Sequence, residues 1–279
     1  MARFLWRLAL AGILGLLLVG GSQAATFTLT NNGWKYSEDT ASQGMGDFVD
    51  PGSVDHMSQN WWWFRTSLDS YERPLANLVT MTSGGANNVQ LVFREDAGRL
   101  SNALLVTLNY ILTGVSSSQA RVDITWSVRN IYSPIPQPIT VDFFAYSDFD
   151  LNSTPSGDTA FWPLPVHVRY SEGSTMADVI ASVDKLVGLD IDNFPNLRNL
   201  LNDSAVYNAS GRMPSSTPGD MTNVFQWRAT LGLGEALQGS LTKVVTLGAP
   251  PAPVIPEPGT WALMLSGLMP VALRLRKKA

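Results

Sequence analysis

Oxygen-bearing side chains crowd one stretch of this chain, DFDLNSTPSGD, where Asp148, Asp150 and Asn152 stand at alternate positions and Asp158 follows. Calcium takes about 6–8 oxygens from a flexible loop, and this spacing opens such a loop. The pattern then departs from a calcium loop: Ser153 stands where the sharp turn wants Gly, and Thr159 where a closing Glu would be. An Asx-rich turn at the end of a strand accounts for the same residues. No metal ligand and no cofactor is therefore assigned, and calcium at Asp148 to Asp158 stays open. His56 and His167 are the only histidines, and neither has a neighbour at ligand spacing, so surface or turn positions are expected. The absence of cysteine removes thiol nucleophiles, disulfides and Cys-based metal sites together. The body holds neither a G-x-S-x-G nucleophile turn nor a phosphate loop. Carboxylates are abundant, but no spacing locates an acid–base pair.

The stretch NWWWF, Asn60 to Phe64, admits two readings. In a strand, Trp61 and Trp63 face one way, and Trp62 and Phe64 the other. One face would then fill a core while the other stays exposed. Exposed indole rings stack on the apolar faces of sugars, which makes Trp61, Trp62 and Trp63 the candidate glycan platform. The competing reading is that all of them are packing material.

The elements around these residues repeat mostly at period two. RVDITWSVRNI places Val122, Ile124, Trp126 and Val128 on one face and Arg121, Asp123, Thr125, Ser127 and Arg129 on the other. VFQWRATL and ALLVTLNYILTGV alternate in the same way. Such alternation predicts half-buried antiparallel strands. NLVTMTSGGANNVQLVFRED predicts a hairpin, with Gly84, Gly85, Asn87 and Asn88 at its turn. One segment departs from the pattern. In STMADVIASVDKLV, Ser174 or Thr175 can cap a helix, and Val179, Ile180, Val183, Leu186 and Val187 recur at helical spacing. A second short helix is expected in FPNLRNLLND. The fold class that follows is mainly β: an antiparallel β-sandwich over residues 25–247 with a small helical insertion at about 174–204.

The two ends of the chain read differently from the body. MARFLWR followed by LALAGILGLLLVGG and a small-residue site at Ser22 and Ala24 makes residues 1–24 a secretory signal peptide, cut between Ala24 and Ala25. Residues 248–259 are a Pro-rich linker, extended because proline lacks an N–H and fixes φ. Residues 260–279 form a membrane anchor with a basic tail. The uncharged run from Trp261 to Leu273 would be ~20 Å long as a helix, short of a ~30 Å hydrocarbon core. Trp261 suits one interface. Leu263, Leu265, Leu268 and Leu273 supply apolar surface, while Arg274, Arg276, Lys277 and Lys278 snorkel to the cytoplasmic side. Thirteen positive and 22 negative side chains lie between Ala25 and Ile255, an acidic body that repels nucleic acid.

Pro256, Glu257 and Pro258, followed by Gly259, Thr260, Trp261, Ala262, Leu263, an apolar run and RLRKK, resemble the PEP-CTERM sorting signal. The one departure is Pro270 inside the apolar run. This resemblance implies a Gram-negative envelope, processing by an exosortase-type membrane enzyme, and association with extracellular polysaccharide or biofilm matrix. The final pair of strands, NVFQWRATLGLGEALQGSLTKVVTL, resembles the closing hairpin of such proteins. The expected protein is exported, held transiently at the inner membrane, then passed to the surface or medium. Its expected role is structural or adhesive, glycan-contacting and not enzymatic. The alternative is a secreted carbohydrate-active enzyme that uses an acidic pair near the Trp cluster.

Overall fold

Alternation at period two becomes sheet structure almost wherever it occurs. The computed structural model describes residues 25–134, 137–214 and 217–248. In chain order the strands are β1 (Thr26–Asn31), β2 (Trp34–Asp39), β3 (Met45–Val49), β4 (Gln59–Thr66), β5 (Arg73–Pro74), β6 (Leu78–Gly85), β7 (Asn88–Ala97) and β8 (Leu100–Ser116). They continue with β9 (Gln119–Asn130), β10 (Ile139–Asp148), β11 (Thr159–Leu164), β12 (His167–Glu172), β13 (Thr175–Ala181) and β14 (Leu186–Asn193). The helix α1 (Asn196–Asn202) precedes β15 (Met221–Leu231) and β16 (Ala236–Thr246). One sheet runs β1-β2-β3-β4-β10-β15-β14, with β5 against β4; the other runs β11-β12-β13-β16-β9-β8-β7-β6. All of these pairings are antiparallel.

Aromatic rings bridge the two sheets. Trp126 of β9 packs against Phe143 of β10 at 4.9 Å and against Trp227 of β15 at 4.9 Å. Gly239 makes room for this contact, because a Cβ there would lie 2.6 Å from the Trp126 ring. The hairpin β6–β7 forms as its turn residues predict.

Three expectations are corrected. The segment expected to begin a helix at Ser174 is instead β13, which pairs with β12 and β16. Its alternation is Thr175, Ala177, Val179 and Ala181 inward. An apolar run this short fits either period, and hydrogen bonding to two neighbouring strands decides it. The shorter helix does form, as α1. The closing hairpin does not: β15 lies in one sheet and β16 in the other, joined by a corner at Gly232–Glu235. The third correction concerns β4. Trp61, Trp62 and Trp63 are each 0 % exposed, so no glycan platform exists there. Sheet alternation would leave one face open, but residues 67–77, α1 and the segment 203–212 cover it. Trp61 donates to the Leu75 carbonyl at 3.1 Å and Trp63 to Asn202 Oδ1 at 3.2 Å, while Tyr207 packs on Phe144.

The signal peptide, most of the linker, the PEP motif and the anchor lie outside the described residues. Among the described residues no helix is long and apolar enough to cross a membrane.

Candidate functional site

Antiparallel pairing of β10 with β15 sets the end of one strand beside the start of the other. Asp148, the last residue of β10, is opposite Thr222 on one side and Gln59 of β4 on the other. Asp150 follows β10, and Asp220 precedes β15. Single carboxylate oxygens of Asp148, Asp150 and Asp220 thereby lie within 4.8 Å of one another. Asp158 joins from a separate segment, through an isolated bridge to Gly219. This end of the sandwich is near the Trp cluster: Tyr146, opposite Trp61, rests edge-on against Trp63 and donates to Asp148 Oδ2 at 3.3 Å.

The spacing of Asp148, Asp150 and Asn152 suggested a loop in which all three converge. The structure brings the two aspartates together and turns Asn152 away. Asn152 adopts φ +57°, tolerable for Asn. Its Nδ2 donates to Glu172 Oε2 at 2.8 Å, and its Oδ1 accepts from Thr175 at 2.7 Å. Asp220 takes the place in the cluster, and no local pattern marks it. His56, expected at a surface or turn position, lies in the loop between β3 and β4 and is buried there against this turn. Its Nδ1 accepts from the Asn152 N–H at 3.2 Å, and burial lowers its pKa. His167 contacts Asp178 Oδ1 at 2.6 Å.

The cluster is short of donors. Oδ1 of Asp148, Asp150 and Asp220 is shielded from solvent and lacks a well-formed hydrogen bond, while Asp158 draws support from the Leu151 N–H and Asp150 from the Ser58 hydroxyl. Burial pushes Asp148 well above the usual carboxylate range, and the charges of Asp150 and Asp220 add to it. Burial, then Asp150, raises Asp220 to about 6. Burial, then Glu172, raises Asp158 to about 8.

Beside the cluster opens a polar cleft of about 420 Å³ between β2, β3 and the segment 55–58, into which Asp150 also faces. Its walls carry Asp39, Asp47 and Asp55 with the hydroxyls of Ser42 and Ser58. The turn into β3 is made at Gly44, whose φ is +72° and where a Cβ would sit 1.7 Å from the Asn60 carbonyl oxygen. Asp55 Oδ1 accepts from the Phe48 N–H at 2.9 Å and the Met57 N–H at 3.2 Å. Burial raises the Asp55 pKa, and the Asp47 charge raises it further. Asp47 is solvated and paired: Lys35 Nζ lies at 3.6 Å and Ser37 donates to it at 2.8 Å.

Met57, which lines this cleft, also touches a buried polar network in the core. Glu38 accepts from Tyr36, from Asn60 Nδ2 at 2.5 Å and from Tyr110 at 3.1 Å. Lys243 Nζ lies 3.6 Å from Met57 Sδ and 5.2 Å from the centre of the Phe149 ring. By contrast, the Arg65 cluster on β4 is fully engaged, with Glu72, Asp142 and Asn208 all accepting from its guanidinium, and it reads as structural.

No protein-family model matches this chain, and no curated protein matches it in sequence. Solved structures similar in chain course include a putative aldose 1-epimerase from Escherichia coli K12, at 10% identity and a TM-score of 0.47, covering 81% of this chain and 100% of that one. A GalM/aldose epimerase homologue from C. elegans is similar at 5% identity and a TM-score of 0.46, covering 81% and 99%. A polysaccharide lyase is similar at 11% identity and a TM-score of 0.41, covering 80% of this chain and 32% of that chain. The expectation of an adhesive, glycan-contacting protein is corrected at its structural basis: the Trp platform that supported it is buried.

Proposed function

We propose that this chain is a secreted carbohydrate-active enzyme that performs acid–base chemistry on a neutral sugar in the cleft lined by Asp39, Asp47 and Asp55. The observation that carries this reading is the pairing, in one open polar cleft, of a desolvated carboxyl group, Asp55, with a solvated, cation-paired one, Asp47. Proton transfer to and from a sugar oxygen needs one group loaded with a proton and one able to accept it, and contrasting environments separate two like side chains into those roles. Asp55 is the acid. Its Oδ1 is fixed by two backbone N–H groups, so Oδ2 carries the proton. Asp47 is the base, oriented by Ser37 and Lys35. Carboxylates and hydroxyls suit a ligand made of hydroxyl groups, and the acidic walls repel an anionic one.

The test is proton NMR of the anomeric signals of neutral aldoses and oligosaccharides incubated with the purified protein, which reads both interconversion and bond cleavage. Asp55→Asn keeps the shape and both N–H contacts, and should lower the rate by about 10²–10⁴-fold while leaving the thermal melt unchanged. A wild-type protein inert towards every neutral sugar, or a fully active Asp55→Asn, would overturn the assignment.

Export and sorting are part of the same proposal and are supported by the residues of the two ends. Cleavage after Ala24 and exosortase-type processing at Pro256, Glu257 and Pro258 deliver the protein to the cell surface or medium, where polysaccharide is at hand. Glu257→Ala should leave export intact and retain the full-length anchored precursor, as read by intact mass from the producing cell. Normal processing of that variant would defeat the sorting proposal.

A further inference from the structure

We propose that the end of the sandwich at the β10–β15 junction binds one divalent cation of the calcium type, with Asp148, Asp150 and Asp220 as its side-chain ligands. This goes beyond the sugar reading and does not depend on it, since Asp47 and Asp55 are not among the ligands.

Geometry comes first. Oxygens bound to calcium lie about 2.3–2.6 Å from the ion, so any two on the same ion are at most ~5 Å apart. The three carboxylates meet this limit, with one oxygen of each within 4.8 Å of the others. Oxygens this close leave room for an ion between them and none for a sugar ring.

Hydrogen bonding is a second, separate observation. A buried carboxylate ordinarily finds donors or a metal, because its desolvation is otherwise uncompensated. Here Oδ1 of each of the three is shielded from solvent and accepts no well-formed hydrogen bond. Asp158, 0 % exposed and anchored beside Asp220 by the Gly219 bridge, adds a fourth shielded carboxyl group on which the charges of Asp150 and Asp220 bear, with the Leu151 N–H as its support. Asp158 lies outside the triad and comes from a different segment, and it deepens the excess of uncompensated negative charge at this end. Among the described residues, none of these four aspartates takes part in an ion pair. The charges of Arg198 and Lys243 bear on Asp148, but neither forms an ion pair with it.

Ligand chemistry then selects the ion. Every donor is a carboxylate oxygen, which suits a hard cation and not zinc or copper. The ligands arrive from a strand end, a bend and a strand start, an irregular set that calcium tolerates and that magnesium, with its demand for near-ideal octahedra, does not.

The experiment is calorimetric titration of calcium chloride into the purified protein after EDTA treatment, together with thermal melts. One site is expected, with a Kd of about 10⁻⁵–10⁻³ M. Calcium at 100-fold excess over Kd should raise Tm by roughly 5 °C or more. Asp220→Asn should weaken binding at least ~10-fold and remove the Tm rise, while its melt in EDTA stays as high as wild type or higher, because a buried charge has gone. Asp47→Asn, in the cleft but outside the triad, should bind calcium as wild type does, which separates failure of this site from failure of the sugar cleft. No saturable heat and no Tm rise at 10 mM calcium, estimated as at least ~10-fold above the weakest expected Kd, would overturn the proposal. So would undiminished binding by Asp220→Asn.

Discussion

Trp62→Ala is expected to remove a large share of the protein's stability. The indole is fully buried, stacked on Phe143 at 5.1 Å and tilted against Trp126 at 6.2 Å. Its N–H donates to the Tyr110 hydroxyl at 2.9 Å, and that hydroxyl in turn donates to Glu38 Oε2 at 3.1 Å. Truncation removes a large apolar surface, leaves a cavity between two sheets that are held apart by their other aromatics, and takes one donor from the Tyr110 hydroxyl, which keeps its bond to Glu38. A buried Trp→Ala change costs about 3–5 kcal/mol, and the lost hydrogen bond about 0.5–1.5 kcal/mol more. A domain of this kind has only ~5–15 kcal/mol in total. Urea titration followed by Trp fluorescence should show either no folded baseline or a midpoint far below wild type. Trp62→Phe keeps most of the ring volume and loses only the hydrogen bond and the outer ring, so it should fold with an intermediate midpoint. A loss under about 1 kcal/mol for Trp62→Ala would mean that the indole is not a core group, since core truncations cost several times that.

Lys243→Met is expected to act in the opposite direction and stabilise the protein. Lys243 lies on the inward face of β16, wholly buried, and its ammonium finds only a thioether and a ring face as close neighbours. Burial lowers its pKa to about 7, although the charges of Glu38 and Asp148 partly support the cation. Glu38 is raised to about 7, again by burial, against the hydrogen bonds of Tyr36, Asn60 and Tyr110 and the charge of Lys243. The two groups give opposite pH slopes. A lysine whose folded pKa is depressed costs stability in full at and below pH 7. That cost fades as pH rises from 7 towards ~10.4, because over this window the unfolded chain holds a proton that the folded one does not. A carboxyl with a raised folded pKa costs nothing below ~4.3 and progressively more up to pH 7. Their joint contribution is therefore least favourable near neutrality. Met copies the length of the lysine stem and fits the thioether and ring it touches, so it should gain on the order of 3 kcal/mol near pH 7. The gain should shrink as pH approaches 10. Urea midpoints for both proteins at pH 6, 7, 9 and 10 measure this directly. Destabilisation at pH 7 would show that the ammonium is a net support for Glu38, and a gain that does not vary with pH would show that its charge is irrelevant.

Much of the fold was legible in the residues alone. The inward set of β9, the β6–β7 turn and the mainly antiparallel character all follow from alternation and from Gly and Asn at turns. Even Lys243 could have been found this way. It stands between Leu241 and Val245 on one face of a period-two run, so its burial was implied by spacing. Its charge, set against an otherwise apolar core face, was the overlooked signal. The segment 175–181 misled because a few small and β-branched residues satisfy both periods, and only the edges of β12 and β16 decide between them.

The sequence by itself determined which residues could form strands and which face of most strands would be apolar, because those depend on the local alternation of side chains. Two further matters required the tertiary structure. One is the covering of the second face of β4, which turns three tryptophans from a surface into packing. Alternation reports that a face is apolar but not which distant segment will lie on it. The other is the meeting of Asp148, Asp150 and Asp220. Antiparallel pairing joins the end of one strand to the start of another far along the chain, and neither end carries a mark of its partner.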